Sequence, residues 1–330
     1  MANNSLNLTQ LPRFNNTSVS GPICHLQDFA KHVGLGFIGL FIIAGVVGNS
    51  TVCFILLHMR RCLTSSTLHY VVSVAASDLL TCLAVMPFDI LYWYHFPEWP
   101  LSPEMCKMWS ALFFALHAAS SLGIVAISMD TYITVATPLQ SQSKQRVSSR
   151  NIIAVIWIWS FLVGVLIFVF QKQPPVGSYL FDLNPIAYGT YLIVHLVAPQ
   201  IIAAWCYCKL FCISKVHAQS IQSHDRSRPS IDSSTTQTSA TEGLTFKQKL
   251  RLAKTFLIVF LGYFICWNPF LAVQFIYVLK FEAKVDGCDL ETADTVVCWL
   301  AYLQCCLNPF FYALRKNYFK ELFKRAVSVN

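Results

Sequence analysis

Few side chains in this sequence are placed to do covalent chemistry. No nucleophile with an adjoining base, no phosphate loop and no metal-ligand spacing occurs along the 330 residues, so an enzyme is not expected. The residues that stand out are polar groups in apolar surroundings. Asp78 is the one acid inside a set of long apolar runs, and an acid there must be paired or hydrated. Pro87, Pro199, Pro269 and Pro309 interrupt the same runs. Each removes a helical hydrogen bond and kinks its helix.

The runs themselves set the architecture. Hydrophobic residues make up 55% of the chain and charged ones 12%, against roughly 25% charged in ordinary soluble domains. With a mean hydropathy of +0.52, so few charges cannot cover two soluble domains. They also do not fit a disordered chain. Stretches without Asp, Glu, Lys or Arg run 33–57, 108–129, 151–170, 183–208, 255–279 and 295–314, and 67–88 is broken only by Asp78. Each is close to the roughly 20 residues that cross a bilayer. Barrel strands would be shorter and would alternate in polarity. The expected fold class is an all-α membrane protein, a seven-transmembrane helix bundle. Its spans are expected at about 33–58, 67–94, 106–136, 151–171, 185–213, 248–279 and 292–314, all within a bundle over 31–314.

Charge gives the orientation. With the N-terminus outside, 18 of the 24 Lys and Arg fall on the cytoplasmic side, as the positive-inside rule requires. The net charge of +8 then faces anionic lipid and a cytoplasmic partner, and needs no nucleic acid. Residues 1–30 lack the pattern of a cleaved signal peptide and form an extracellular segment. Their sequons at Asn3, Asn7, Asn15 and Asn16 favour glycosylation. Residues 215–247, rich in Ser and Thr, read as a disordered third cytoplasmic loop, either a phosphorylation-controlled docking site or a plain linker. In 315–330, Tyr318, Phe319, Leu322, Phe323 and Ala326 share one face of a short amphipathic helix among basic residues, suited to the inner membrane surface. No internal repeat is visible, which weighs against a transporter of duplicated halves.

Gly48-Asn49, Ala76-Ser77-Asp78-Leu79, Asp130-Thr131-Tyr132, Trp157, Pro199 with Tyr207, Cys266-Trp267-Asn268-Pro269 and Asn308-Pro309-Phe310-Phe311-Tyr312 occur in order on successive spans. Together they resemble a rhodopsin-like (class A) G-protein-coupled receptor, over about 33–325. The resemblance implies a plasma-membrane receptor that couples an extracellular ligand, or basal activity, to nucleotide exchange on a heterotrimeric G protein. Its activation switch would be Asp130, Thr131, Tyr132, Tyr207, Trp267, Pro269, Asn308, Pro309 and Tyr312, with Lys249 and Arg251 on the cytoplasmic surface. Arrestin would be a further partner through the third cytoplasmic loop. No cofactor is implied beyond an allosteric sodium ion at Asp78, Ser120 and Asn308; the alternative is a hydrogen-bonded Asp78–Asn49–Asn308 cluster without an ion.

Helical phase and the resemblance together turn Phe113, Phe114, His117, Tyr188, Tyr191 and His195 toward a shared ligand cavity. Trp267, Phe270, Gln274, Cys298 and Tyr302 join them, and Asp89 and Trp93 stand near its outer end. His117 and His195 face each other there, as a metal or pH-sensing pair or, on the plainer reading, as two hydrogen-bonded histidines.

Four departures from the family pattern bear on function. Thr131 replaces the arginine that pairs with the preceding acid and meets the G protein. The second extracellular loop has no cysteine, so Cys106 lacks its usual partner, and Cys24–Cys288 or Cys24–Cys106 becomes the candidate disulfide. Phe113 replaces the acid that amine receptors use, and Tyr302 the retinal lysine of opsins. Under the cavity, Pro199, Ser121 and Tyr263 stand where the family packs apolar groups, and a Ser121–Tyr263 hydrogen bond is expected in their place. Thr131 also motivates a second reading, a non-signalling scavenger or heteromer partner. A transporter or channel ranks below both, because one acid within the spans is too few for a coupled ion pathway.

Overall fold

The computed structural model describes residues 23–58, 66–95, 99–136, 142–174, 183–226, 233–279 and 287–313, with side chains described for 32–57, 66–95, 99–136, 149–174, 183–216, 249–278 and 293–312. The four sequons, the Cys24 and Cys288 side chains and the amphipathic 315–330 segment lie outside them.

The described residues form nine helices and one π-helical turn. They are α1 Ile23–His58, α2 Ser66–Ala84, α3 Met86–His95, α4 Pro103–Ala136, α5 Gln142–Phe170, α6 Pro185–Leu192, the turn Ile193–Val197, α7 Ala198–Arg226, α8 Ser233–Leu279 and α9 Gly287–Ala313. Seven stretches are long and apolar enough to cross a membrane: His32–Leu57, Ser66–His95, Pro103–Ala136, Ser149–Phe170, Pro185–Val216, Lys249–Val278 and Ala293–Tyr312. They are called spans 1 to 7 below. Around 215–247 the backbone is helical through Arg226 and again from Ser233, whereas the sequence reads as a disordered loop. Both helices continue past their apolar spans, since once a helix is nucleated each further residue adds a hydrogen bond.

Span 3 is the most buried and spans 1 and 4 are among the least. α4 packs against α2, α5, α7 and α8, while α9 closes the ring between α8 and α1. Large apolar side chains such as Phe54, Phe161, Ile201 and Ile265 point outward, where lipid replaces water as the solvent. Helices in lipid approach through small residues and shape rather than hydrophobic drive. At Gly48 a Cβ would lie 2.8 Å from the Pro309 ring, and at Gly123 it would lie 2.5 Å from Val74, so larger residues would push spans 1 and 7, or 2 and 3, apart.

The prolines show how the bundle manages backbone groups that have lost a partner. Pro309 has no N–H for the carbonyl of Cys305, and Asn49 of span 1 donates to that oxygen at 2.9 Å. Pro199 leaves the carbonyl of His195 free within the π-helical turn, and Ser121 of span 3 donates to it at 2.6 Å. Next to Pro269, Asn268 donates to the carbonyl of Phe264 at 2.7 Å and to Gln200 at 3.0 Å. At Pro87 the helix is interrupted at one residue, a turn at Val85 between α2 and α3.

Asn49→Ala and Ser121→Ala each remove the donor that serves a proline-orphaned carbonyl. Each is expected to lower stability by about 1–3 kcal/mol, read as a lower Tm of the purified protein. Ser214→Ala, at an exposed hydroxyl bonded to Phe211, should leave the Tm unchanged.

Candidate functional site

Spans 3, 5, 6 and 7 bring their aromatic residues together on the outer side of Trp267. Phe113 stands at the centre, with ring centroids 5.1 Å from Phe114, 6.0 Å from Tyr302, 6.2 Å from Trp267 and 6.3 Å from Phe270. Phe114 in turn meets Tyr191 edge-on at 4.8 Å and Tyr188 at 5.9 Å. Polar groups rim this cluster. Tyr188 donates to Gln274 at 2.8 Å and Gln274 to Asp294 at 2.5 Å, tying spans 5, 6 and 7. Tyr302 donates to Asp89 of span 2, and half-buried Cys298 packs against the same core as Phe113. Trp93 packs edge-on against Trp299 at 6.0 Å, within a second aromatic group that includes Tyr92, Trp99 and Trp109.

The two histidines occupy different networks. His117 Nδ1 lies 2.6 Å from the Tyr191 hydroxyl, which itself donates to the Phe114 carbonyl, so Nδ1 carries the proton and donates. Its Nε2 then accepts from Tyr263 at 3.3 Å, and its ring sits 4.0 Å from that of Trp267. His195 donates through Nδ1 to the Tyr191 carbonyl at 3.2 Å and accepts at Nε2 from the Trp159 indole at 3.0 Å. Each ring thus serves as one donor and one acceptor, the pattern of a neutral imidazole. Tyr191 joins the two, and among the described residues no group of His, Cys, Asp and Glu could hold a metal. Ser121 donates to the carbonyl that Pro199 cannot serve, and its hydroxyl stays in hydrogen-bonding reach of Tyr263 as expected, while Tyr263 also meets His117.

Below Trp267, Asp78 is buried with Ser120 donating to one oxygen at 3.1 Å and Asn308 to the other at 2.7 Å. Asn49 stands apart from the expected three-residue cluster, because its amide serves the carbonyls of Gly45 and Cys305. Two buried acceptors here, Asn49 Oδ1 and Asn308 Oδ1, have no partner among the described residues, and neither does the Gln304 amide nitrogen. A narrow cavity runs from Phe113, His117, Trp267 and Tyr302 down to Asp78, Ser120 and Gln304.

At the cytoplasmic end, Asp130 accepts from Ser66 at 2.6 Å and Thr67 at 2.5 Å, both in the first turn of span 2. Thr131 turns inward and donates to the Ile127 carbonyl of its own helix at 2.6 Å. Lys249 of span 6 reaches the Thr134 carbonyl near the end of span 3 at 2.8 Å, holding the inner ends of the two spans together. A lysine at a helix C-terminus is favoured by the partial negative charge there. Tyr207 accepts from Ser128 at 3.4 Å and stacks on Phe260 at 5.6 Å. Tyr132 meets Trp205, and buried Tyr312 meets Phe256.

The family model for 7 transmembrane receptors (rhodopsin family) matches residues 48–312. The chain belongs to that family. It is therefore a multi-pass, plasma-membrane G-protein-coupled receptor, a receptor rather than an enzyme, and membership implies coupling to a heterotrimeric G protein. Among its relatives is the alpha-1A adrenergic receptor of Rattus norvegicus, 27% identical over 334 residues that cover 92% of this chain and 69% of that one. The human alpha-1A adrenergic receptor is likewise 27% identical, over 336 residues with the same shares covered. The mouse alpha-1D adrenergic receptor is 25% identical over 332 residues, covering 90% of this chain and 57% of that one.

Several participants went unread in the sequence. Asp294 lies one helical turn from Cys298 and two from Tyr302, an i, i+4, i+8 stripe that could have placed it. Ser66, Thr67 and Trp159 offered no such signal. Lys249 was read only as surface, and its role follows from the contact with Thr134. Replacing Lys249 by alanine removes a charge-assisted bond worth about 1.5–3 kcal/mol. The expected result is a rise in ligand-free G-protein signalling of about tenfold at matched surface expression, with Lys249→Arg close to wild type.

Proposed function

We propose that this receptor carries the occupancy of an outer aromatic site, through the movement of Trp267, to the buried Asp78 and on to the inner ends of spans 3 and 6. The observation that supports this most is the cavity itself, whose walls include both Phe113, Trp267 and Tyr302 and the acid with its Ser120 partner. A shift of Trp267 changes the wall of the chamber that holds Asp78, and Asn308 passes that change to the segment kinked at Pro309. Agonist then favours the state in which the Lys249–Thr134 contact opens and span 6 swings about Pro269, exposing Thr131, Tyr132, Tyr207, Arg251 and Tyr312 to a G protein.

A sodium ion is the group expected at Asp78. Two buried acceptor oxygens without partners among the described residues, on Asn49 and Asn308, beside a carboxylate and a serine hydroxyl suit a hydrated cation. Asp78 and Ser120 would hold it, with Asn308 through water, and it would favour the resting state by supplying the positive charge that Asp78 lacks. The N-terminus lies outside with glycans at Asn3, Asn7, Asn15 and Asn16, and arrestin engages the Ser/Thr-rich 215–247 segment; the charge distribution and sequons support both topology and modification.

Ligand-free signalling through a panel of Gα reporters tests this reading. Wild type should give a signal that scales with surface expression, and Thr131→Arg should change it. Sodium should raise the Tm of the purified wild type and fail to do so in Asp78→Asn. Silence of wild type and Thr131→Arg alike, together with an identical sodium response in Asp78→Asn, would overturn it.

A further inference from the structure

The outer site has a charge that the family pattern does not put there. Phe113 occupies the span 3 position where a carboxylate would pair with an ammonium. Joined to the cavity through Tyr302, which lines it, Asp89 is only 8% exposed, and its hydrogen-bond partner among the described residues is the Tyr302 hydroxyl, a neutral donor. A carboxylate removed from water without a counter-charge is destabilising by several kcal/mol. A cation arriving from outside would supply the missing charge. The surroundings suit one: Tyr302 stands perpendicular to Phe113, and Phe113 leads on to Trp267 and Phe270, so aromatic faces flank the approach. Asp294 adds a second carboxylate two turns outward from Tyr302 on the same face of span 7.

A second, independent observation points to a ligand. Trp267 lines the same cavity as Phe113 and Tyr302, and its buried indole N–H has no partner among the described residues. It is a donor awaiting an oxygen.

We propose that the receptor's agonist is a small organic cation, an ammonium or guanidinium, anchored by Asp89 of span 2 with Tyr302 of span 7, and carrying an oxygen acceptor for the Trp267 indole. This rests on the reading of the outer aromatic site as the ligand site, and it moves the cation anchor from span 3 to the interface of spans 2 and 7. Tyr302 is then a positioning residue that fixes the carboxylate beside the Phe113 face.

The test uses purified full-length receptor and a thermal-shift readout, which does not depend on coupling. The probes are choline, agmatine, 2-phenylethylamine and 2-amino-1-phenylethanol, with the neutral 2-phenylethanol as counterpart. At least one cation should raise the Tm in a concentration-dependent way, and 2-phenylethanol should not. Asp89→Asn should weaken the half-maximal concentration about tenfold or more. Tyr302→Phe, which keeps the ring and the charge, should weaken it less, and Asp89→Glu should retain part of the response. Either no shift with any cation, or a shift that survives Asp89→Asn, or equal stabilisation by 2-phenylethanol, overturns the proposal. Ligand-free Gα signalling measured on the same variants separates the two readings. Stabilising cations with no signalling leave the anchor standing and sink the coupling, and basal signalling with no stabilising cation does the reverse.

Discussion

Within a bilayer no water can take up a carbonyl or amide that the helix leaves unpaired, and such a group is destabilising by several kcal/mol. This constraint organises the bundle. Two of its kinks leave the carbonyl four residues before the proline to be served by a side chain, Asn49 to Cys305 and Ser121 to His195, and beside Pro269 the Asn268 side chain adds a bond to the Phe264 carbonyl. Two of these donors come from a neighbouring span, so the kink and the helix–helix register are one feature. Asn49 fixes span 1 to span 7, and Ser121 fixes span 3 to span 5. The close approach of Gly48 to the Pro309 ring belongs to the same contact.

The same scarcity of partners explains how the outer and inner halves communicate. Tyr191 accepts a hydrogen bond from His117, donates to Phe114 and offers its own carbonyl to His195, so spans 3 and 5 share one residue's polar atoms. His117 touches Trp267 on one side and Tyr263 on another. Moving any member strands a buried donor or acceptor unless the others move with it. Packed polar networks of this kind favour a few discrete arrangements over continuous deformation. The Asp78 chamber and the Lys249–Thr134 contact sit at the far end of the same set of helices.

What could be read from the sequence was whatever one segment decides alone. The seven spans were legible because each must be long and apolar by itself, and Asp78 stood out because its neighbours are apolar. Phe113, Tyr188, Tyr191 and Trp267 followed from helical phase and the family resemblance together. Pairings between segments far apart in the chain were not legible. Ser121 also donates to the His195 carbonyl in the π-helical turn, a bond that no local pattern announces. Tyr302 and Asp89 are 213 residues apart, and Lys249 and Thr134 are 115 apart, so neither pair leaves a local pattern. Asp130 likewise finds hydroxyls from span 2 rather than the arginine that Thr131 replaces.

The π-helical turn at Ile193–Val197 has a consequence of its own. A wider turn holds one residue more than an α-helical turn, and each residue advances an α-helix by about 100°. The part of span 5 before the turn, with Tyr188 and Tyr191, is therefore rotated against the part after it, with Tyr207. The two ends of one helix are indexed independently, like the halves of a shaft joined by a keyed coupling. Residue changes that retune the ligand-facing end can accumulate without turning the end that meets the cytoplasm.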